Sequence, residues 1–424
     1  MLDLFKNTFL YTNKYKTHSE AIVISCFFNP QNSPYRIKAF NHFYDSIKHL
    51  NHQIIECVIG DSKPQLPENE NIKRVYTESL LWHKEALLNK IISELPKKYK
   101  YIFWVDADVI FNNQDWLIEA VDDFKNYDTD ILQPFEYCVH LEQDELSPSF
   151  DTEEYKGYDV IDDPKLRHPK MWRSFCANYE VGLSGDENYD RHGHVGFAWG
   201  AKREVLEKVP LYDKALIGGA DHIIAHAAAG HFTDKKVHPC IQKSFTDNID
   251  EVTSWSRKFY SVVQGRISYV PGDLYHIWHG DINKREYYQR VKDFTSKTKS
   301  ITIKDKNGLY VTRDEDNILY MNNYFKKREV SGGGGDDGFL ASMAIGYLTD
   351  STIMGAALGG NVAGAMLGDM MNSGDTQKDN VEFGGGQGGG AGSGGSFETN
   401  NDTPPPSTDT PADNSNIYPG STFS

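Results

Sequence analysis

The sequence is poor in cysteine, in basic charge and in long hydrophobic runs, and each shortage closes off a class of protein. Five cysteines (Cys26, Cys57, Cys138, Cys176 and Cys240) are scattered over 424 residues. Their odd number, wide spacing and lack of any Cys-X-X-Cys pair argue against a disulfide framework and predict a reducing compartment. Most lie in apolar runs, the setting of small buried hydrophobes. Acids outnumber Lys and Arg 60 to 44, a net charge of −16, so the basic stripe expected of a nucleic-acid binder is missing. No basic segment precedes a long apolar stretch at the N-terminus, which predicts no secretory signal and a cytoplasmic location. Neither a Gly-X-X-X-X-Gly-Lys-Ser/Thr loop nor a His-Glu-X-X-His pair occurs, so a P-loop and a zincin site are both excluded.

What remains is an α/β pattern followed by a change of composition. The apolar run Ala21–Phe28 closes at Asn29-Pro30 and reads as a buried strand. Ser33 and Pro34 then open a helix to about Leu50, with Ser33 as its hydroxyl cap. A second strand is expected over 54–59, a helix over 79–95, and further strands over 101–105 and 130–133. Alternating strand and helix, with strands apolar throughout, predicts a mostly parallel sheet covered on both faces. Ligands of such sheets bind beyond the carboxyl ends of the strands. Residues 140–191 are polar and lack periodicity, which predicts an elaborated loop region. Asp305–Gly308 reads as the turn of a hairpin between 301–304 and 309–312.

Beyond Val330 lie 22 of the 36 glycines and, from Ser331 on, 11 acids against one Lys. We expect an extension over 1–18, a catalytic domain over 19–300, a hairpin extension over 301–330 and a Gly-rich linker over 331–338. A small-residue apolar segment spans 339–371, and a Gly-, Ser-, Thr- and Pro-rich tail spans 372–424. In the apolar segment Ala356, Gly360, Gly364 and Gly368 share one helical face, which suits self-association or partner docking. Asp350 and Asp369 bracket about 18 residues, too short and too polar a stretch for a membrane span to be preferred.

Three constellations carry chemistry. The first is Asp106-Ala107-Asp108 after the apolar run 101–105. Two neighbouring carboxylates in a sheet crevice repel unless a cation neutralises them, and hard oxygens suit Mn²⁺ or Mg²⁺. The second runs from Gly193 through Gly196 and Arg203 to Leu211-Tyr212-Asp213 and Gly218-Gly219-Ala220-Asp221. An Asp at a helix start can be a cap, or it can be a base kept ionised by the helix dipole. The third is Tyr269–Asp281, with His276 and His279. Residues three apart in a strand face opposite ways, so only one of the two can readily reach the same point as Asp108. Gly280, which follows His279, allows close backbone approach there. The cluster His222, His226 and His231 reads as a helix lining.

In this order the three motifs resemble the inverting GT-A glycosyltransferases, including family 2 and the β-galactosyltransferases, over roughly residues 19–300. The resemblance implies a Rossmann-like fold and transfer of a sugar from a nucleotide-diphosphate sugar, UDP-sugar above all, to a glycan or other hydroxyl acceptor. It implies that Asp106, Asp108 and His279 hold the divalent metal and that Asp221 deprotonates the acceptor. Asp61, Lys84, Asn89 and Asp106 would bind the nucleotide. Ala220 stands where the family has Glu. There are two rival readings: a metal-dependent phosphatase or nuclease that uses the same Asp and His ligands, and a non-catalytic surface or virion interaction protein on a degenerate transferase fold, which the unusual tail suggests.

Overall fold

The structure, a computed structural model, describes residues 15–157, 166–186, 189–232, 249–280, 293 and 301–329. Cys240, the linker, the apolar segment and the tail lie outside the described residues, as does residues 1–14 of the expected N-terminal extension.

Along the chain run β1 (Ala21–Phe27), α1 (Pro34–Ile47), β2 (His52–Ile59), β3 (Ile72–Thr77), α2 (Lys84–Glu94), β4 (Tyr101–Val105), β5 (Val109–Phe111) and α3 (Trp116–Asn126). Then come β6 (Ile131–Gln133), β7 (Tyr137–His140), β8 (Met171–Arg173), α4 (Phe175–Glu180), α5 (Tyr189–His192), β9 (Ala198–Lys202), α6 (Arg203–Lys208) and α7 (Ala220–Ala229). The last are α8 (Ile249–Val263), β10 (Ile267–Tyr269), β11 (Asp273–His276), the strands β12 (Ile303–Lys304) and β13 (Tyr310–Val311), and α9 (Glu315–Glu329).

The large sheet has the order β10-β6-β9-β4-β1-β2-β3. All its pairings are parallel except those of β9, which runs antiparallel between β4 and β6. The α/β class and the mostly parallel sheet expected from the sequence are therefore present. Successive residues of β1 and β4 bury on opposite faces, as a two-residue period requires. Ile22, Ile24, Ile102 and Trp104 pack with Leu87, Leu88 and Ile91 of α2 and Phe259 of α8. Val23, Phe103 and Val105 pack with Phe40 and Phe43 of α1 and with Trp116 and Phe124 of α3. Helices on both faces explain why these strands are apolar throughout.

The second sheet, β5-β11-β7-β8, is hydrogen-bonded separately from the first. The region 140–191, expected to be loop, contributes β8 and α4 to the fold. The Ser33 cap is also corrected. Ser33 precedes Pro34 as expected, but its side chain makes no capping bond. Asn29 instead holds the residue before the helix in place: its Oδ1 accepts the Ser33 N–H at 3.0 Å and its Nδ2 donates to the Ser33 carbonyl at 2.9 Å.

Candidate functional site

The tripeptide Asp106–Asp108 is where the two sheets meet. β4 ends at Val105 and β5 begins at Val109, so the two aspartates occupy the turn between a strand of the large sheet and a strand of the small one. That turn sends the two carboxylates to different partners.

Asp108 goes to the small sheet. β11 pairs antiparallel with β5 in a register that sets His276 across from Val109. The Ile277 N–H then donates to the Asp108 carbonyl at 2.8 Å. Because β11 stops at His276, the chain curls and returns His279 to the same point. His279 Nε2 lies 3.0 Å from Asp108 Oδ2 and 3.3 Å from His276 Nε2. One ligand atom from each of Asp108, His276 and His279 falls within 4.8 Å of the others. The expected exclusion of His276 thus fails, since it assumed that the strand continued through His279. Burial raises the Asp108 carboxyl, but His279, His276 and Arg36 outweigh it and hold the group well below the usual carboxylate range.

Asp108 Oδ1 is buried and has no hydrogen-bond partner among the described residues. A buried carboxylate oxygen without a donor is costly, and a divalent cation would satisfy it. The residues therefore fit a metal. Two imidazoles with one carboxylate suit a first-row divalent ion better than Mg²⁺, which favours an all-oxygen shell.

Asp106, expected beside Asp108 as a second metal ligand, is turned the other way. Its N–H donates to the Phe197 carbonyl at 2.7 Å, and its Oδ1 lies 2.7 Å from Lys84 Nζ. Phe197 holds a positive φ of 77°, a rare state for an aromatic residue. Its ring is stacked between His194, at 4.2 Å, and His276, at 4.8 Å. Burial pushes the Asp106 carboxyl up to about 6; Lys84 pulls against this, while Asp221 and Asp108 add to it.

Asp221 completes the second group. Gly219, at φ 92°, is the N-cap of α7, and Asp221 lies in the first turn. Its carboxylate turns to Lys84 Nζ, with its oxygens at 3.1 and 3.3 Å. Lys84 therefore joins the Asp of the strand end to the Asp of α7, residues 115 positions apart in the chain. Burial would favour a neutral lysine, but Asp106, Asp221 and Glu85 outweigh it and hold the ammonium well above its ordinary value.

Two expected site residues stand elsewhere. Asp61 is exposed on the turn after β2, next in sequence to Ser62 and Lys63, which line a small cleft with Phe27, Asn29, Ile59 and Gln65. Asn89 has both amide atoms engaged by the Leu211 backbone, at 2.8 and 3.0 Å, so it braces that segment. The histidines of α7 behave as a lining: His226 is fully buried, bonds His231 at 3.2 Å, and packs its ring edge-on to Phe175 at 5.0 Å. Arg36 was not foreseen as a neighbour of Asp108. Its only signal was its place in the first turn of α1, beyond the carboxyl end of β1.

No protein-family profile and no curated protein matches the sequence. Solved structures with a similar arrangement include the mannosyltransferase PcManGT from Pyrobaculum calidifontis in complex with GDP-Man and Mn²⁺. It is 13% identical with a TM-score of 0.33, over 83% of this chain and 79% of that one. Glucosyl-3-phosphoglycerate synthase from Mycobacterium tuberculosis is 10% identical with a TM-score of 0.30, over 66% and 79%. Mannosyl-3-phosphoglycerate synthase from Rubrobacter xylanophilus is 11% identical with a TM-score of 0.30, over 68% and 77%. These likenesses are low, and the roles of residues rest on the geometry above.

Proposed function

We propose that this chain is a divalent-metal-dependent glycosyltransferase of the GT-A type, which moves a sugar from a nucleotide-diphosphate sugar to an acceptor hydroxyl with inversion. A UDP-sugar is the first donor to try. One observation carries the reading. Beyond the carboxyl ends of the strands, a set of candidate metal ligands (Asp108, His276 and His279) is joined by one turn of chain to Asp106, which shares Lys84 with a base candidate, Asp221. Transfer of a group off a diphosphate needs both: positive charge for the leaving group and a base for the incoming hydroxyl.

Asp108, His276 and His279 would hold the ion, which when bound offsets charge on the departing diphosphate. Asp221 would accept the acceptor proton, with its carboxylate kept in place by Lys84. Asp106 and Lys84 would line the donor side, and Asp61 would stand near the nucleoside. The segment 339–371 would serve self-association or partner docking.

The test is a panel of UDP- and GDP-sugars with Mn²⁺. Nucleoside diphosphate release supports the reading. Release of inorganic phosphate instead points to a phosphatase, and no turnover on any donor points to a binding protein. The anomer of the product, read by NMR, decides inversion.

A further inference from the structure

Lys84 is the first residue of α2 and only 8% exposed, a place where a lone ammonium is costly. It is not alone. Its Nζ lies 2.7 Å from Asp106 and 3.1 Å from Asp221, and Glu85, 3% exposed, is a third acidic side chain beside it. An ammonium is a compact point charge with three donors, and it meets carboxylate oxygens much as a small metal ion does. Two oxygens that share one Nζ are at most about 6 Å apart, and two sharing a divalent ion are about 4 Å apart. The difference is within the reach of side-chain rotation.

We infer that Lys84 is an internal cation. It fills the place of a second metal ion between Asp106 and Asp221, confines the divalent ion to Asp108, His276 and His279, and positions the Asp221 carboxylate. Enzymes that clamp a reaction between two metals hold them about 3.5–4 Å apart. Here one of the two positive charges is built into the chain. This inference rests on the reading of Asp108, His276 and His279 as the metal centre, and the test separates the two.

The measurement is the number of Mn²⁺ ions bound per full-length chain, by calorimetry and by electron paramagnetic resonance. The native protein should bind one ion and Asp108→Asn none. Lys84→Met, which leaves Asp106 and Asp221 without their shared cation, should gain an ion and bind two. Lys84→Met combined with Asp108→Asn should keep the gained ion alone, and Lys84→Met combined with Asp221→Asn should lose it again. A lysine that served only stability would leave these counts unchanged. Lys84→Gln, which retains a hydrogen-bond donor, carries the same count if Lys84→Met folds poorly. Two ions on the native protein, or no gained ion in either Lys84 variant, would overturn the inference. No ion on the native protein but one on Lys84→Met would remove the Asp108 centre and leave the internal cation standing.

Discussion

The Nε2 atoms of His276 and His279 lie 3.3 Å apart, although an uninterrupted strand would have set these side chains on opposite faces. Two nitrogens bound at about 2.1 Å to one ion are separated by roughly 3.0–3.4 Å. The pair's spacing therefore fits one shared ion, with Asp108 as the third ligand of the proposed centre.

From that spacing, Asp108→Asn and His279→Ala should each lower Mn²⁺ affinity at least tenfold, and His276→Ala should do so too. Calorimetric titration checks this. Native affinity in His276→Ala would return His276 to a packing role and leave His279 as the sole imidazole ligand.

The base assignment predicts a different pattern. Asp221→Asn should reduce kcat about 10²–10⁴-fold with little change in donor affinity, because the lost group acts on the acceptor. Donor affinity comes from equilibrium binding and kcat from nucleoside diphosphate release. Full turnover with a lowered melting temperature would make Asp221 a structural partner of Lys84 only.

Stability should depend on pH through Glu85. Burial is the main cause raising its carboxyl from 4.5 to about 8; Lys84 opposes the rise, and Asp221 and Asp106 add to it. Between those values the folded protein keeps a proton that the unfolded chain has released, so stability falls as pH rises. The loss begins near 4.5 and is complete above about 8. Glu85→Gln should match the native protein at acid pH and exceed it by a few kcal/mol at alkaline pH, as read from urea melts. A constant difference across the range would refute the assignment.

Packing makes the fourth prediction. Gly200 of β9 lies opposite Phe103 of β4, and a Cβ there would come within 2.5 Å of the Phe103 ring. Phe103 is fully buried and set edge-on to Trp116 at 5.3 Å, so the ring has little room to yield. Gly200→Ala should cost about 1–3 kcal/mol. Adding Phe103→Leu should return part of that loss, which a double-mutant cycle would register as coupling.

The parts of the fold that were legible in the sequence share one property: their local signal and their tertiary fate agree. The apolar runs of β1, β2 and β4 are central strands buried on both faces, and Pro34 opens α1 where its fixed φ fits. β3 was not legible because it is an edge strand. Only Ile72, Val75 and Thr77 bury, and Lys73 and Tyr76 face outward, which blurs both periodicities. β5, at three residues, is too short to show a period and exists because β11 pairs with it. In the site, Asp106 and Asp108 could be named from their spacing after a strand, and His279 and Asp221 from the family resemblance. Their partners could not, since Asp106 meets Lys84 through the packing of α2, and His276 meets Asp108 through the register of β11. Both relationships are tertiary.

The turn Asp106–Asp108 has a mechanical consequence. The proposed metal ligands hang from the small sheet, whereas Lys84 and Asp221 are carried by α2 and α7 on the large one. A displacement of one sheet against the other would change the gap between the two sets while leaving each intact, and a shift of about 1 Å in such a gap can alter rate about 10²-fold. Phe197, whose ring stacks on His276 of the small sheet while its carbonyl accepts from Asp106 at the end of β4, spans that gap, so its replacement would alter the spacing of the two sets.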